Sequence, residues 1–259
     1  MTHIIKATLC CVLALLPCAP SSAETFTVGD VWTDTKLYFT SPLRWDVTDW
    51  LYFGGALGII AASHQLDGNV RRHFTTPGQP LTGDKDPNAL RDAAPALAVV
   101  AGTALASAFA DSSSGRIEAF SMIEAGALST VTAEGFKFAA GRLRPDQTTR
   151  VDDWRAGGSS FPSLHATAAF AIGTVLAESG SDDFRWARRL LGYGIGAGTA
   201  YLRLHDNQHW LSDTVAGAAL GTATGAFVLN RRSQRANFGV SVTPTPGGGF
   251  MVGFNKLLN

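Results

Sequence analysis

Three short clusters in this 259-residue chain combine residue types that could move a phosphoryl group. The first is Lys137, then six residues, then Arg144-Pro145, with Arg142 between them. The second is Pro162-Ser163-Leu164-His165. The third is Arg203, five residues, His209, three residues, Asp213. A carboxylate that accepts the Nδ1 proton of an imidazole fixes its tautomer and leaves Nε2 with a lone pair for attack. Asp213, four residues after His209, would do this from the same face of one helix. Attack of His209 on phosphorus would give a phosphohistidine and split hydrolysis into two steps. His165 could protonate the leaving oxygen and then activate water. Lys137, Arg144 and Arg203 would carry the charge of the transferred group, and the planar arginine fork suits phosphate oxygens.

These side chains need elements to hold them. Pro162 and Ser163 read as a helix start, whose free N–H groups, that of Leu164 included, would add to a phosphate cradle. Pro145 is expected to end the helix that carries Lys137, leaving Arg144 at a loop mouth. Apolar patterning predicts helices over Trp50–Ser63, Ala93–Ala110, Ile117–Ala140, Ser163–Glu178, Trp186–Tyr201 and His209–Leu229. Glycines recur every four residues at 217, 221 and 225, and at 194 and 198, a spacing that lets helix backbones approach closely. Residues 24–49 read as an irregular or short-helical lead-in. The loop with Asp84, Asp86 and Asn88 reads as solvated, and His64, His73 and His205 as ordinary polar residues. Alternation around Phe238–Val242 and Phe250–Phe254 predicts a C-terminal β-hairpin that covers part of the bundle.

The three clusters, in order and spacing, resemble the signature motifs of the type 2 phosphatidic acid phosphatase family (PAP2), which includes bacterial class A acid phosphatases and vanadium haloperoxidases. The resemblance covers roughly residues 50–229. It implies an all-α bundle of about six core helices, His209 as nucleophile, His165 as acid and Asp213 as the residue that orients His209. It further implies Lys137, Arg144, Ser163 and Arg203, with the backbone at Leu164, as phosphate ligands, and no metal or other cofactor. Two positions depart from the family pattern: Leu164 stands in place of glycine and Leu202 in place of serine. The same residues would serve a haloperoxidase-like enzyme that holds vanadate, and the two departures would suit a catalytically silent envelope scaffold.

Lys+Arg and Asp+Glu both number 21, so neither nucleic acid nor an anionic surface is an expected partner. A phosphate ester is. Residues 1–23 read as a signal peptide: Lys6, an apolar stretch over 7–16, and small residues before Glu24. Cleavage there would remove Cys10, Cys11 and Cys18, all three cysteines, and with them thiolate and disulfide chemistry. The expected domain runs over 50–232, with 233–259 as the tail, on the periplasmic side of a bacterial envelope. Hydrophobic residues make up 46% of the chain, yet mean hydropathy is only +0.09. Glu124, Glu134, Lys137, Arg188 and Arg189 interrupt the apolar stretches, which favours a soluble or membrane-associated domain over one that spans a bilayer repeatedly. Gly158–Pro162 is no nucleophile elbow, and no Gly-Lys-Ser/Thr phosphate loop occurs.

Overall fold

The computed structural model describes residues 28–76, 81, 83, 86, 88–110, 112–180, 182–236, 238–244 and 250–256. The expected signal segment, Asp84 and the turn at 245–249 lie outside them. Among the described residues eight α-helices follow one another: α1 Val28–Thr40, α2 Val47–His64, α3 Asp67–Phe74, α4 Ala89–Phe109, α5 Ser113–Ala140, α6 Leu164–Glu178, α7 Arg185–His205 and α8 Leu211–Ala236. Beyond them Phe238–Pro244 and Phe250–Lys256 lie antiparallel, with Val240 opposite Phe254.

α6 is the central helix and packs on α5, α7 and α8. Ten of its fifteen residues are buried, most of them alanine, glycine or threonine. The core beside it is built from Met122, Ala125 and Leu128 of α5, Ala169, Ile172 and Val175 of α6, and Val228 of α8. Small side chains bring the backbones together. A Cβ at Gly221 would stand 2.2 Å from the Thr167 carbonyl oxygen, and one at Gly217 or Gly225 would stand 2.8 Å from the carbonyl oxygen of Ser163 or Ala171. The same contact on the other side uses Gly192 and Gly196, not the expected Gly194 and Gly198, which face open space. Both pairs share the four-residue spacing, so spacing alone does not say which face is packed.

Within the lead-in, α1 docks on the bundle: Tyr38 Oη lies 2.8 Å from Thr224 Oγ1, and Asp34 pairs with Arg231. α2 opens with a reciprocal capping box between Asp46 and Asp49, which satisfies two free N–H groups at once. Three of the charges that interrupt the apolar stretches are paired, Glu124 with Arg232, Arg188 with Glu118 and Arg189 with Glu178. Among the described residues α4 is the one helix long and apolar enough to cross a membrane.

Chain direction fixes the site. α5 and α7 end, and α6 and α8 begin, at one end of the bundle, where α2 also ends and α3 begins. Lys137, Arg142, His165, Arg203, His209 and Asp213 all fall there.

Candidate active site

α5 stops at Ala140 because Gly141 turns left-handed (φ 54°), its N–H closing on the Lys137 carbonyl. The helix therefore ends four residues before Pro145, which was expected to end it. Any side chain at Gly141 would also press on Arg155, 3.1 Å from its Cα. The strand-like run that follows is pinned to the segment leading into α6. Leu143 N donates to Asp153 O (3.0 Å), Ala156 N to Gly141 O (2.9 Å) and Ser160 N to Arg142 O (2.9 Å). The first two clusters thus form one backbone unit. Lys137 Nζ donates to the Ser159 carbonyl within it.

Ser163 is the N-cap of α6, but its side chain makes no capping hydrogen bond. Its N–H instead donates to the Asp213 carbonyl oxygen at 3.0 Å, tying the second cluster to the third. His209 and Asp213 do not share a helix face as expected. α8 begins at Leu211, so His209 lies just before it and Asp213 in its first turn. Asp213 Oδ2 accepts the Trp210 N–H at 2.9 Å and the Ser160 hydroxyl at 2.5 Å. His209 Nδ1 stands 3.5 Å from the same oxygen. The pairing arises from a helix cap, not from helical periodicity.

Arg144 donates to Gln208 Oε1 (2.7 Å), which places the first cluster over the third. Arg203 is fully buried and meets two carboxylates. Asp86 grips it with both oxygens, at 2.5 and 3.1 Å, and Asp92 takes a further Nη1 hydrogen at 2.8 Å. Asp86 Oδ2 also lies 3.9 Å from Arg144. The loop read as solvated therefore delivers an anion into the arginine pair. Five buried polar atoms of these clusters have no hydrogen-bond partner: Arg142 Nε, Arg144 Nε, Arg203 Nε, Ser163 Oγ and His209 Nδ1.

The electrostatics follow from burial and from the cations. Burial, reinforced by Arg144, brings the Lys137 ammonium down to about 8. Burial and Arg203 bring the His165 imidazole down to about 4. His209 is held well below the usual histidine range by burial first, then by Lys137, Arg144, Arg203 and His165. It is therefore a neutral imidazole, the form that can attack. Burial raises the Asp213 carboxyl, and Arg142 opposes that rise. The N-termini of α6 and α8 add positive potential at the same end of the bundle. Such an array can bind a tetrahedral oxyanion beside a neutral nucleophile.

These motifs have known counterparts. Residues 118–236 match the model of the PAP2 superfamily. Over that stretch the chain is similar to PAP2 proteins. A lipid A 1-phosphatase of Porphyromonas gingivalis is 35% identical over 89 residues, which cover 34% of this chain and 18% of the relative. A PA-phosphatase related-family protein of Dictyostelium discoideum is 29% identical over 126 residues, 42% of this chain and 46% of the relative. The chain thus spans less than half the length of either.

Several residues around the three clusters were not read in the sequence as part of the site. Asp67, Asp86, Asp92, Ser160 and Ser212 reach them from α3, from the loop before α4, from α4, from the segment leading into α6 and from the start of α8. His64, read as an ordinary polar residue, bridges Asp67 (2.8 Å) and Asp152 (2.9 Å). None lies at a motif spacing; a signal was available only in the number of acidic residues upstream of the first cluster. Among the described residues no three His, Cys, Asp or Glu side chains are grouped to hold a metal ion.

Proposed function

We propose that this chain is a phosphatase of the bacterial envelope, acting on lipid phosphates or diphosphates through a phosphohistidine at His209. The observation that carries the reading is the set of unpartnered donors, Arg144 Nε, Arg203 Nε and Ser163 Oγ, buried around an unprotonated His209. Buried donors without acceptors are costly, about 1–3 kcal/mol each, and a phosphate supplies the acceptors.

In this mechanism Nε2 of His209 attacks phosphorus while the P–O ester bond breaks. The negative charge of the bound phosphate raises the His165 imidazole from its value of about 4 in the free protein, so that it takes up a proton and gives it to the leaving oxygen. Asp213 holds the Nδ1 proton of the imidazolium formed. Water then attacks the phosphohistidine, giving its proton to His165 as the P–N bond breaks and inorganic phosphate departs. Lys137, Arg144 and Arg203 offset the charge on the equatorial oxygens, the work a metal ion does in other phosphoryl transfers. The Leu164 N–H joins them from the start of α6.

The lipid substrate is supported by the similarity to the lipid A 1-phosphatase of Porphyromonas gingivalis and by the surface of the molecule. Trp50, Leu51, Tyr52, Leu57 and Ile59 of α2, Leu97, Leu105 and Phe109 of α4, and Phe136 and Phe138 of α5 are exposed. Apolar surface of this extent suits contact with a membrane. A shallow groove lined by Phe136, Ala140, Trp154 and Phe161 runs along the C-terminal end of α5, where an acyl chain would find apolar contact. The signal segment expected over 1–23 would place the site on the periplasmic side, with 50–232 as the catalytic domain and 233–259 as a hairpin cover.

The test is phosphate release from phosphorylated lipids and small esters by the purified protein. Release that survives EDTA, is blocked by vanadate and is lost in His209→Ala supports the reading. EDTA-sensitive release that is unchanged in His209→Ala overturns it.

A further inference from the structure

Arg142 lies two residues from Arg144 in the first cluster, and its type suggests another phosphate ligand. Its hydrogen bonds say otherwise. The side chain is fully buried, and its four Nη hydrogens are committed, with His64 Nδ1 a further neighbour of Nη2 at 3.1 Å. Nε alone has no partner, whereas the Nη fork that would grip a phosphate is taken. Nη1 donates to Asp213 Oδ1 (2.6 Å) and Ser212 Oγ (2.8 Å). Nη2 donates to Asp67 Oδ2 (2.7 Å) and the Val151 carbonyl (2.8 Å). The Trp154 ring covers the guanidinium, with its centroid 4.4 Å from Cζ, and Trp210 approaches from 5.2 Å.

Asp67 completes the frame. Its Oδ1 accepts the Ser212 N–H (2.8 Å), and its Oδ2 accepts the Ser212 hydroxyl (2.7 Å). Arg142 and Asp67 therefore grip both ends of the Ser212-Asp213 pair at the start of α8, on the side away from His209.

We propose that Arg142 is a positioning residue: anchored by Asp67, it holds Asp213 ionised and aimed at Nδ1 of His209, and it does not bind phosphate. This rests on His209 being the nucleophile. A carboxylate buried without its cation would take up a proton, and a protonated Asp213 no longer fixes the tautomer that leaves Nε2 free. Burial already pushes the Asp213 carboxyl upward, with Arg142 foremost among the groups that oppose it. Asp67 supplies the second negative charge that keeps the guanidinium centred between two carboxylates.

The experiment compares Arg142→Met, Arg142→Lys and Arg144→Met in the full chain. For Arg142→Met, kcat is expected to fall roughly 100-fold while KM and the vanadate inhibition constant stay within about threefold. Arg144→Met is expected to raise both constants. Arg142→Lys keeps the charge but not the fork, so it should restore part of kcat; it also serves if the methionine variant does not fold. Loss of vanadate binding together with kcat in Arg142→Met, or an unchanged kcat, overturns the proposal. The second readout needs no turnover: 15N labelling of the six histidines reports the His209 tautomer. If no ester is hydrolysed by the unaltered protein, the phosphatase reading fails. Arg142 is then judged by that spectrum, where a tautomer equilibrium unchanged in both Arg142 variants overturns the positioning role and a shifted one upholds it.

Discussion

Nδ1 of His209 stands 3.5 Å from Oδ2 of Asp213, while that oxygen already accepts hydrogen bonds from Trp210 N and Ser160 Oγ. The distance is long for a hydrogen bond, as is common for catalytic pairs before substrate arrives. Oδ1 is held by Arg142 at 2.6 Å. Every neighbour of this carboxylate is thus a donor. Asp213→Asn would place an amide N–H against a donor on one side or the other, and would favour the wrong imidazole tautomer. The expected outcome is a loss of about 10³ to 10⁴ in kcat, with a smaller change in vanadate affinity. Steady-state kinetics beside vanadate inhibition check it.

Lys137 sets the alkaline side of the pH profile. Its ammonium is brought down to about 8 by burial and by Arg144. As pH rises through that value the free enzyme loses one positive charge from the phosphate cradle. The expected profile of kcat/KM therefore falls above about pH 8, chiefly through KM. Lys137→Arg keeps its charge to much higher pH. In that variant the alkaline fall should move upward by more than one pH unit, whatever the effect on the plateau.

The core helices and the three clusters could be read from residue type and spacing, because the first two clusters sit at helix ends marked by proline, serine or glycine. What supports them could not. Asp67, Asp86 and Asp92 arrive from α3, the loop before α4 and α4, and they pair with Arg142 and Arg203 across more than 70 residues. No local pattern encodes such partners; they follow from which helix ends meet. The expected shared helix face of His209 and Asp213 failed for a local reason. Asp213 caps the helix by accepting from Trp210 N, so the helix starts between the two residues. The glycine spacing was legible as close packing, but the packed register, 192 and 196, was not separable from 194 and 198.

That register makes a paired stability test. A Cβ at Gly221 would stand 2.2 Å from the Thr167 carbonyl oxygen, so Gly221→Ala must push α8 away from α6. The expected cost is about 1–3 kcal/mol. Gly194 sits within α7 with nothing near its added Cβ. Gly194→Ala should instead stabilise by about 0.5–1 kcal/mol, the helix preference of alanine over glycine. Thermal unfolding of the two variants should move in opposite directions.

Asp86 shows what an incoming phosphate must contend with. Its carboxylate grips Arg203 with both oxygens, reaches toward Arg144, and is itself held below the usual carboxylate range by Arg203, His165 and Arg144 despite its burial. A bidentate carboxylate on an arginine fork uses the same donors that phosphate would use. Asp86 and the substrate therefore compete, or at least repel, across one guanidinium. Asp86→Asn removes the charge and keeps the size, and it should tighten vanadate and lower KM by roughly three- to tenfold, the range of an ion pair of about 1 kcal/mol near a surface. Asp92 remains as the buried partner of Arg203, at 2.8 Å, so the arginine stays anchored in the variant. Vanadate inhibition constants measured at two salt concentrations check the result. A gain that shrinks at high salt is the expected electrostatic signature, and weaker vanadate binding in Asp86→Asn would instead make Asp86 a support for Arg203 that the anion needs.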